Sequence, residues 1–265
     1  MQFTDQLGNL IILPKKPQRI ISVVPSQTEL LFDLGLNEEV IGITKFCIHP
    51  EKWFKEKQRI GGTKKLNIDK IIALQPDLII ANKEENTKED IEALKKHFPV
   101  WISDIYYLED ALKMIHDIGG ITEKQNKANE IIQTIQKEFA VLKQFIETKK
   151  TIRTAYFIWF NPMMAAAENT FIDNMLYSCG FENVFSHKNR YPEISEQDIK
   201  DANPELILLS SEPFPFKEKH IEYFKSLLPN AKVILADGEL FSWYGSRLIH
   251  SAKYFKQIRE IIANE

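Results

Sequence analysis

Several features that would narrow the function at once are missing from this 265-residue chain. No stretch approaches the roughly 18 consecutive apolar residues of a helical membrane span, so none is expected. Cysteine is nearly absent: Cys47 and Cys179 lie far apart and form no CxxC pair, so they read as reduced, independent thiols rather than a disulfide framework. Basic charge is not in excess. Lysine and arginine total 34 against 37 acidic residues, a formal net charge of -3, and binding to nucleic-acid phosphates needs the opposite balance. The local lysine clusters, Lys55/Lys57 and Lys64/Lys65, read as parts of a solvated face. The opening Met1–Asp5 has neither a basic nor an apolar region of a signal peptide, and none is expected here. Motifs of catalysis are lacking too. There is no GxSxG elbow, HExxH, GxGxxG or Walker loop, and the six histidines (49, 97, 116, 187, 220 and 250) are scattered. No catalytic residue, cofactor or metal site is expected.

What is present is a soluble, core-forming composition, 44% hydrophobic and 27% charged. Short apolar runs alternate with helical patterns, which indicates an α/β fold with parallel sheet. The predicted strands are Arg19–Val24, Val40–Thr44, Leu78–Ala81 and Val100–Ser103, then Thr154–Phe160, Leu206–Leu209 and Val233–Ala236. Their unbroken Ile/Leu/Val character suits strands covered on both faces. Ser26 with Glu29, and Thr170 with Asp173, have the spacing of capping boxes, and Gly35 and Gly180 stop the helices that follow. After Gly119-Gly120, residues Thr122–Thr148 read as one helix with Ile131, Ile135, Phe139, Leu142 and Ile146 on a single stripe. Such a helix would be on the order of 40 Å long.

The two halves echo each other. The run Ile68–Ile80 matches Glu196–Leu208 at a constant offset of 128, each reading as a short helix, a proline, an acidic residue and a buried strand. This predicts an N-terminal lobe over 1–117, a linking helix over 118–149 and a C-terminal lobe over 150–265. Two Rossmann-like lobes on one long backbone helix would leave a ligand cleft between them.

Ligands of open α/β sheets sit beyond the carboxyl ends of the strands. Ser26 and Thr28 follow the first strand at a helix start, where Ser26 either caps its own helix or meets a ligand. After the second strand come Phe46, Cys47 and His49. Cys47 and His49 suit packing or ligand contact better than metal ligation, because no third ligand is spaced nearby. Thr63 and Lys64 follow Gly61-Gly62, a loop whose backbone allows close approach. In the second half Trp159 and Phe160 end a strand, and Trp243, Tyr244 and Arg247 follow the last one. An aromatic cluster beside one arginine fits a large, flat ligand carrying carboxylate or amide groups; alternatively Trp243 and Tyr244 plug the lobe interface.

The segment Arg19–Gly35, the loop Gly61-Gly62-Thr63, the run Ile71–Ile80 and the closing Trp243-Tyr244-Gly245-Ser246-Arg247 together resemble the helical-backbone metal receptors. These are class III periplasmic binding proteins for cobalamin, haem and iron siderophores, and the cobalamin-binding branch is the most similar. The resemblance covers nearly the whole chain from about Arg19. It implies the substrate-binding component of an ABC importer, a monomer that captures a metal chelate and delivers it to a permease dimer. It also implies a periplasmic or membrane-associated location, with a cytoplasmic one left open by the sequence start, and it places Trp159, Phe160, Trp243, Tyr244 and Arg247 against the ligand. The sequence departs from the cobalamin-binding pattern at Asn82, where that branch has a tryptophan. The alternative is a cytoplasmic enzyme or chaperone acting on a tetrapyrrole or metal complex with the same fold. The family further implies one exposed glutamate per lobe that pairs with permease arginines. Glu89 and Glu218 fit best, then Glu84 and Glu212, although acidic residues in a first helical turn also have a purely electrostatic reason to be there.

Overall fold

A computed structural model describes residues 1–263; Asn264 and Glu265, the end of the expected C-terminal lobe, lie outside the described residues. The chain divides into two compact units. The first comprises Met1–Ile105, Glu109–Thr134 and Tyr244–Arg247, and the second comprises Tyr106–Leu108, Ile135–Trp243 and Leu248–Glu265. The division is therefore not a single cut on either side of a helix, since each unit takes a short segment from within the other's run of chain.

In the first unit five parallel strands lie in the order Gln58–Arg59, Val40–Ile43, Ile20–Ser22, Leu78–Asn82, Val100–Ser103. Ile20, Ile21 and Ser22 face Leu78, Ile79 and Ile80 across the ladder. Every residue of the strands Ile20–Ser22, Leu78–Asn82 and Val100–Ser103 is buried, as their apolar runs predict for a sheet covered on both faces. The second unit repeats the plan around Ile152–Trp159, which pairs in parallel with Leu206–Ser210, and that strand with Lys232–Ala236. Phe181–Asn183 adds in parallel at the start of Ile152–Trp159, and Met164–Ala165 adds antiparallel at its end.

The internal echo is physical as well as sequential. Asn67 and Ser195, 128 positions apart, cap the helices Ile68–Leu74 and Glu196–Ala202 by accepting from the backbone N–H of Lys70 and Asp198. Gln75 and Asn203 end these helices in the left-handed region, at φ 48° and 43°. Each helix is then tied to its sheet by an arginine. Arg19 donates to the Leu74 carbonyl at 2.6 Å while Asp77 accepts from the Arg19 backbone, and Arg153 donates to the Ala202 carbonyl at 2.6 Å while Glu205 accepts from the Arg153 backbone.

Three local readings need correction. The capping box at Ser26 does not form. Pro25 occupies the first helical position of Pro25–Asp33, so the cap falls on Val24, whose side chain can accept nothing. Thr170 does cap its helix by accepting from the Asp173 N–H, but the Asp173 carboxylate accepts from Asn183 Nδ2 instead of closing a box. The linking helix runs over Gln125–Ile146, because a separate helix, Leu108–Ile121, ends only just before it. Glu123, at φ 57°, makes the break, and Gly119 is helical. A Cβ on Gly119 would stand 2.4 Å from that of Ala128, so glycine here serves close helix approach rather than termination. The linking helix counts with the first unit through Thr134 and with the second from Ile135.

Candidate functional site

Of the residues singled out from sequence, Ser26, Thr28, Phe46, His49, Thr63, Lys64, Tyr244 and Arg247 belong to the first unit, and Trp159, Phe160 and Trp243 to the second. In the first unit the Pro25–Asp33 helix begins directly after the strand Ile20–Ser22, and the Tyr244–Arg247 segment lies against it. A Cβ on Gly245 would come within 2.9 Å of the Ser26 carbonyl oxygen, so only glycine lets the two backbones approach this closely. Arg247 then donates from Nε and Nη2 to both carboxylate oxygens of Glu29, at 2.9 and 2.6 Å. Burial holds the Glu29 carboxyl above its ordinary value despite that arginine.

The neighbouring loop shows an apolar face. Phe46 and Ile48 are exposed at 52% and 45%, whereas Cys47 between them is fully buried. The Cys47 sulfur lies 3.1 Å from the hydroxyls of both Thr28 and Thr44, and burial pushes its thiol up, so it anchors the loop as a neutral group. Thr28 is itself enclosed, with its hydroxyl also 2.8 Å from the Val24 carbonyl, and serves the same anchor. The Phe46 ring rests on Gly62, where a Cβ would stand 3.0 Å from it. Lys64 Nζ donates to the Glu84 carbonyl.

Sequence reasoning missed the residues that hold these loops together. Asn86, 5% exposed, donates from Nδ2 to the carbonyls of Val23 and Thr63 at 3.2 and 3.1 Å and accepts from the Asn82 N–H. Asn82 accepts from the N–H groups of Glu84 and Glu85 and donates to Ser103. Asn82 is 1% exposed and shapes the turn after its strand; its signal was an Asn four residues before another at a strand end, the pattern of side-chain-stabilised turns.

In the second unit the end of Ile152–Trp159 meets the segment after Leu206–Ser210. Trp159 is 38% exposed, packs edge-on to Phe214 at 5.6 Å and donates its indole N–H to the Asn161 carbonyl. Phe160 lies deeper, ringed by Phe214, Phe216, His220 and Tyr223 at 4.7 to 6.2 Å. His220 accepts at Nδ1 from the Lys217 N–H, and burial lowers its pKa, so the cluster around it is uncharged. Trp243, 7% exposed, donates its indole N–H to Glu212 Oε1 at 2.9 Å.

The acidic candidates separate. Glu89 and Glu218 are exposed in the first turns of Lys88–Lys95 and Glu218–Leu227. Glu84 is half-buried. Glu212 turns its carboxylate inward, where Ser242 and Trp243 donate to it, and it is not an exposed docking charge. Among the described residues no group of three or more His, Cys, Asp or Glu is placed to hold a metal ion. No helix among them is long and apolar enough to cross a membrane. A hollow of about 350 Å³ lies between Asp33–Gly35 and Glu123–Lys127, at the opposite end of the Pro25–Asp33 helix from Ser26, and holds none of the candidates.

Residues 20–226 match the family described as periplasmic binding protein. A vitamin B12-binding protein of Pectobacterium carotovorum is 25% identical over 241 residues, 89% of this chain and 86% of the relative. The periplasmic vitamin B12 binding protein of Vibrio cholerae has the same fold, with a TM-score of 0.82 at 20% identity, covering 95% of this chain and 100% of the other. So does a protein of the ABC-type Fe3+-hydroxamate transport system of Saccharomonospora viridis, with a TM-score of 0.76 at 18% identity over 99% and 98% of the chains.

Proposed function

The chain belongs to the periplasmic binding protein family, and from that premise we propose that it captures a metal chelate and delivers it to the permease of an ABC importer. The chelate is cobalamin or another corrinoid, haem, or a ferric siderophore. The observation that carries this reading is that, within each unit, aromatic rings in the segments beyond the strands are held in place by neighbouring side chains. Phe46 is fixed over Gly62 by the buried Cys47 beside it, Trp159 by Phe214, and Trp243 by Glu212. Rings immobilised beforehand lose little entropy when a flat macrocycle or aromatic chelator stacks on them. A bare metal ion would require a cluster of ligating side chains instead.

The role is binding rather than catalysis, and the acting species is a monomer located in the periplasm or at the membrane surface. Glu89 and Glu218 supply one exposed charge in each unit for the permease, where rim charges fix register and association rate more than affinity. Titration of the purified protein with cyanocobalamin, hemin and a ferric hydroxamate tests the reading. A stoichiometric absorbance change with the ligand recovered intact is expected for one of them. No change with any, or conversion of the ligand into a product, would refute it.

A further inference from the structure

Glu212 occupies an unusual position for a carboxylate. It lies in the segment that follows the central strand Leu206–Ser210 and reaches Trp243, 31 positions later, with one oxygen. That oxygen, Oε1, accepts from Trp243 Nε1 at 2.9 Å and from Ser242 Oγ at 2.8 Å. The indole has a single N–H donor, and that donor is spent on this carboxylate.

The backbone of Glu212 is itself held from behind. Ser210 Oγ donates to the Glu212 carbonyl at 2.5 Å, and the Tyr156 hydroxyl donates to Ser210 Oγ at 3.1 Å. Gly238 packs against the Glu212 side chain, where a Cβ would lie 2.6 Å from Cγ and 2.4 Å from Ser210 Oγ. Gly238 in turn donates its N–H to Ser211 Oγ at 2.9 Å. The strand end, the carboxylate and the short helix Gly238–Ser242 are thus joined on the polar edge of the indole. The segment's next ring, Phe214, packs against Trp159 on the other side.

A buried charge costs free energy unless something compensates it, and two neutral donors compensate it only in part. An amide would offer the same two donors an acceptor without the cost of a buried charge. The charge of Glu212 does one thing an amide would not. It makes the hydrogen bond to the indole charge-assisted and so confines the ring to one rotamer. We propose that Glu212 is the positioning residue of Trp243, setting the orientation in which the indole meets a ligand. The claim about the ligand rests on the reading of Trp243 as an anchor given above; the claim about the ring does not.

The test uses the full-length chain labelled with ¹⁵N, in which four tryptophans give four indole N–H resonances. Loss of one signal in Trp243→Phe assigns it. Glu212→Ala is expected to move or broaden that signal while the other three stay, and Glu212→Gln, which keeps an acceptor, is expected to return it towards its native position. If Glu212→Ala does not fold, Glu212→Gln and Ser242→Ala carry the measurement, each shifting the same resonance by a smaller amount. An unmoved Trp243 resonance in every folded variant overturns the proposal.

Affinity for cyanocobalamin and hemin is measured in parallel. Glu212→Ala should weaken binding by about tenfold in the native background and have no further effect in Trp243→Ala, because coupled residues are not additive. Additive losses would overturn the positioning role. Unchanged affinity in Trp243→Ala alone would instead remove the anchor reading, leaving the orientation of the ring to be decided by its resonance.

Discussion

Arg247 and Glu29 are 218 positions apart and meet in a two-pronged ion pair, Nε to Oε2 and Nη2 to Oε1, with each side chain about one-sixth exposed. Both residues belong to the first unit, which gains Arg247 only through its inserted Tyr244–Arg247 segment. Arg247→Ala would leave the Glu29 carboxylate largely dehydrated and without its cation. The expected loss is about 1–3 kcal/mol in urea unfolding, between the values for exposed and fully buried pairs. Arg247→Lys, which keeps the charge but not the fork, should recover only part of it. Equal stability of all three proteins would show that the pair contributes nothing.

Gly238→Ala should be destabilising although its backbone is ordinary helix, because the added methyl has no room. It would stand 2.4 Å from Ser210 Oγ and 3.0 Å from the Glu212 nitrogen. Overpacking of this kind costs about 1–3 kcal/mol. Thermal unfolding reads it, and an unchanged midpoint would mean that the loop shifts freely.

Trp243→Ala should weaken binding of the accepted chelate by about 1–3 kcal/mol, as truncation of an enclosed aromatic anchor does. Calorimetric titration of the folded variant is the check. Native affinity would exclude Trp243 from the contact surface.

The strands and the paired helix-Pro-strand units were legible because their signals are local. An unbroken Ile/Leu/Val run such as Leu206–Leu209 can hardly be anything but a strand covered on both faces, and proline after Gln75 or Asn203 ends a helix wherever it occurs. The start of Pro25–Asp33 was misread because two local signals competed there and the proline prevailed over the serine. The role of Gly119 was not legible because its partner, Ala128, lies in the next helix. Candidate aromatics could be named from their places after strands, yet what holds them could not. Glu212 reads as one more acid near a helix start until Trp243, far along the chain, comes to lie against it.

Glu89→Lys with Glu218→Lys should leave chelate affinity intact while uptake through the cognate permease, or co-purification with it, is lost. Both side chains are exposed and contribute to neither set of anchored rings. Transport at the native rate would remove the docking role.

The stability of the protein should also carry a signature of Glu212 at mild acidity. Burial raises its carboxyl above the ordinary 4.5, with the acids Glu239 and Asp237 adding to the effect. The folded state therefore takes up this proton more readily than the unfolded chain. The resulting stabilisation is fully present below 4.5 and is lost as pH rises through the folded-state value. Relative to Glu212→Gln, the native protein should gain in melting temperature as pH is lowered towards 4.5. A constant difference across that range would mean that the group titrates normally.

The first unit takes its last piece of chain, Tyr244–Arg247, from near the end of the sequence. Synthesis on the ribosome proceeds from the other end. Glu29 therefore emerges 218 residues ahead of Arg247, and until then it has no Arg247 to pair with. The unit that holds Glu29 is accordingly incomplete until Arg247 has been made, and a messenger cut short before Arg247 would yield a product that lacks a piece of both units.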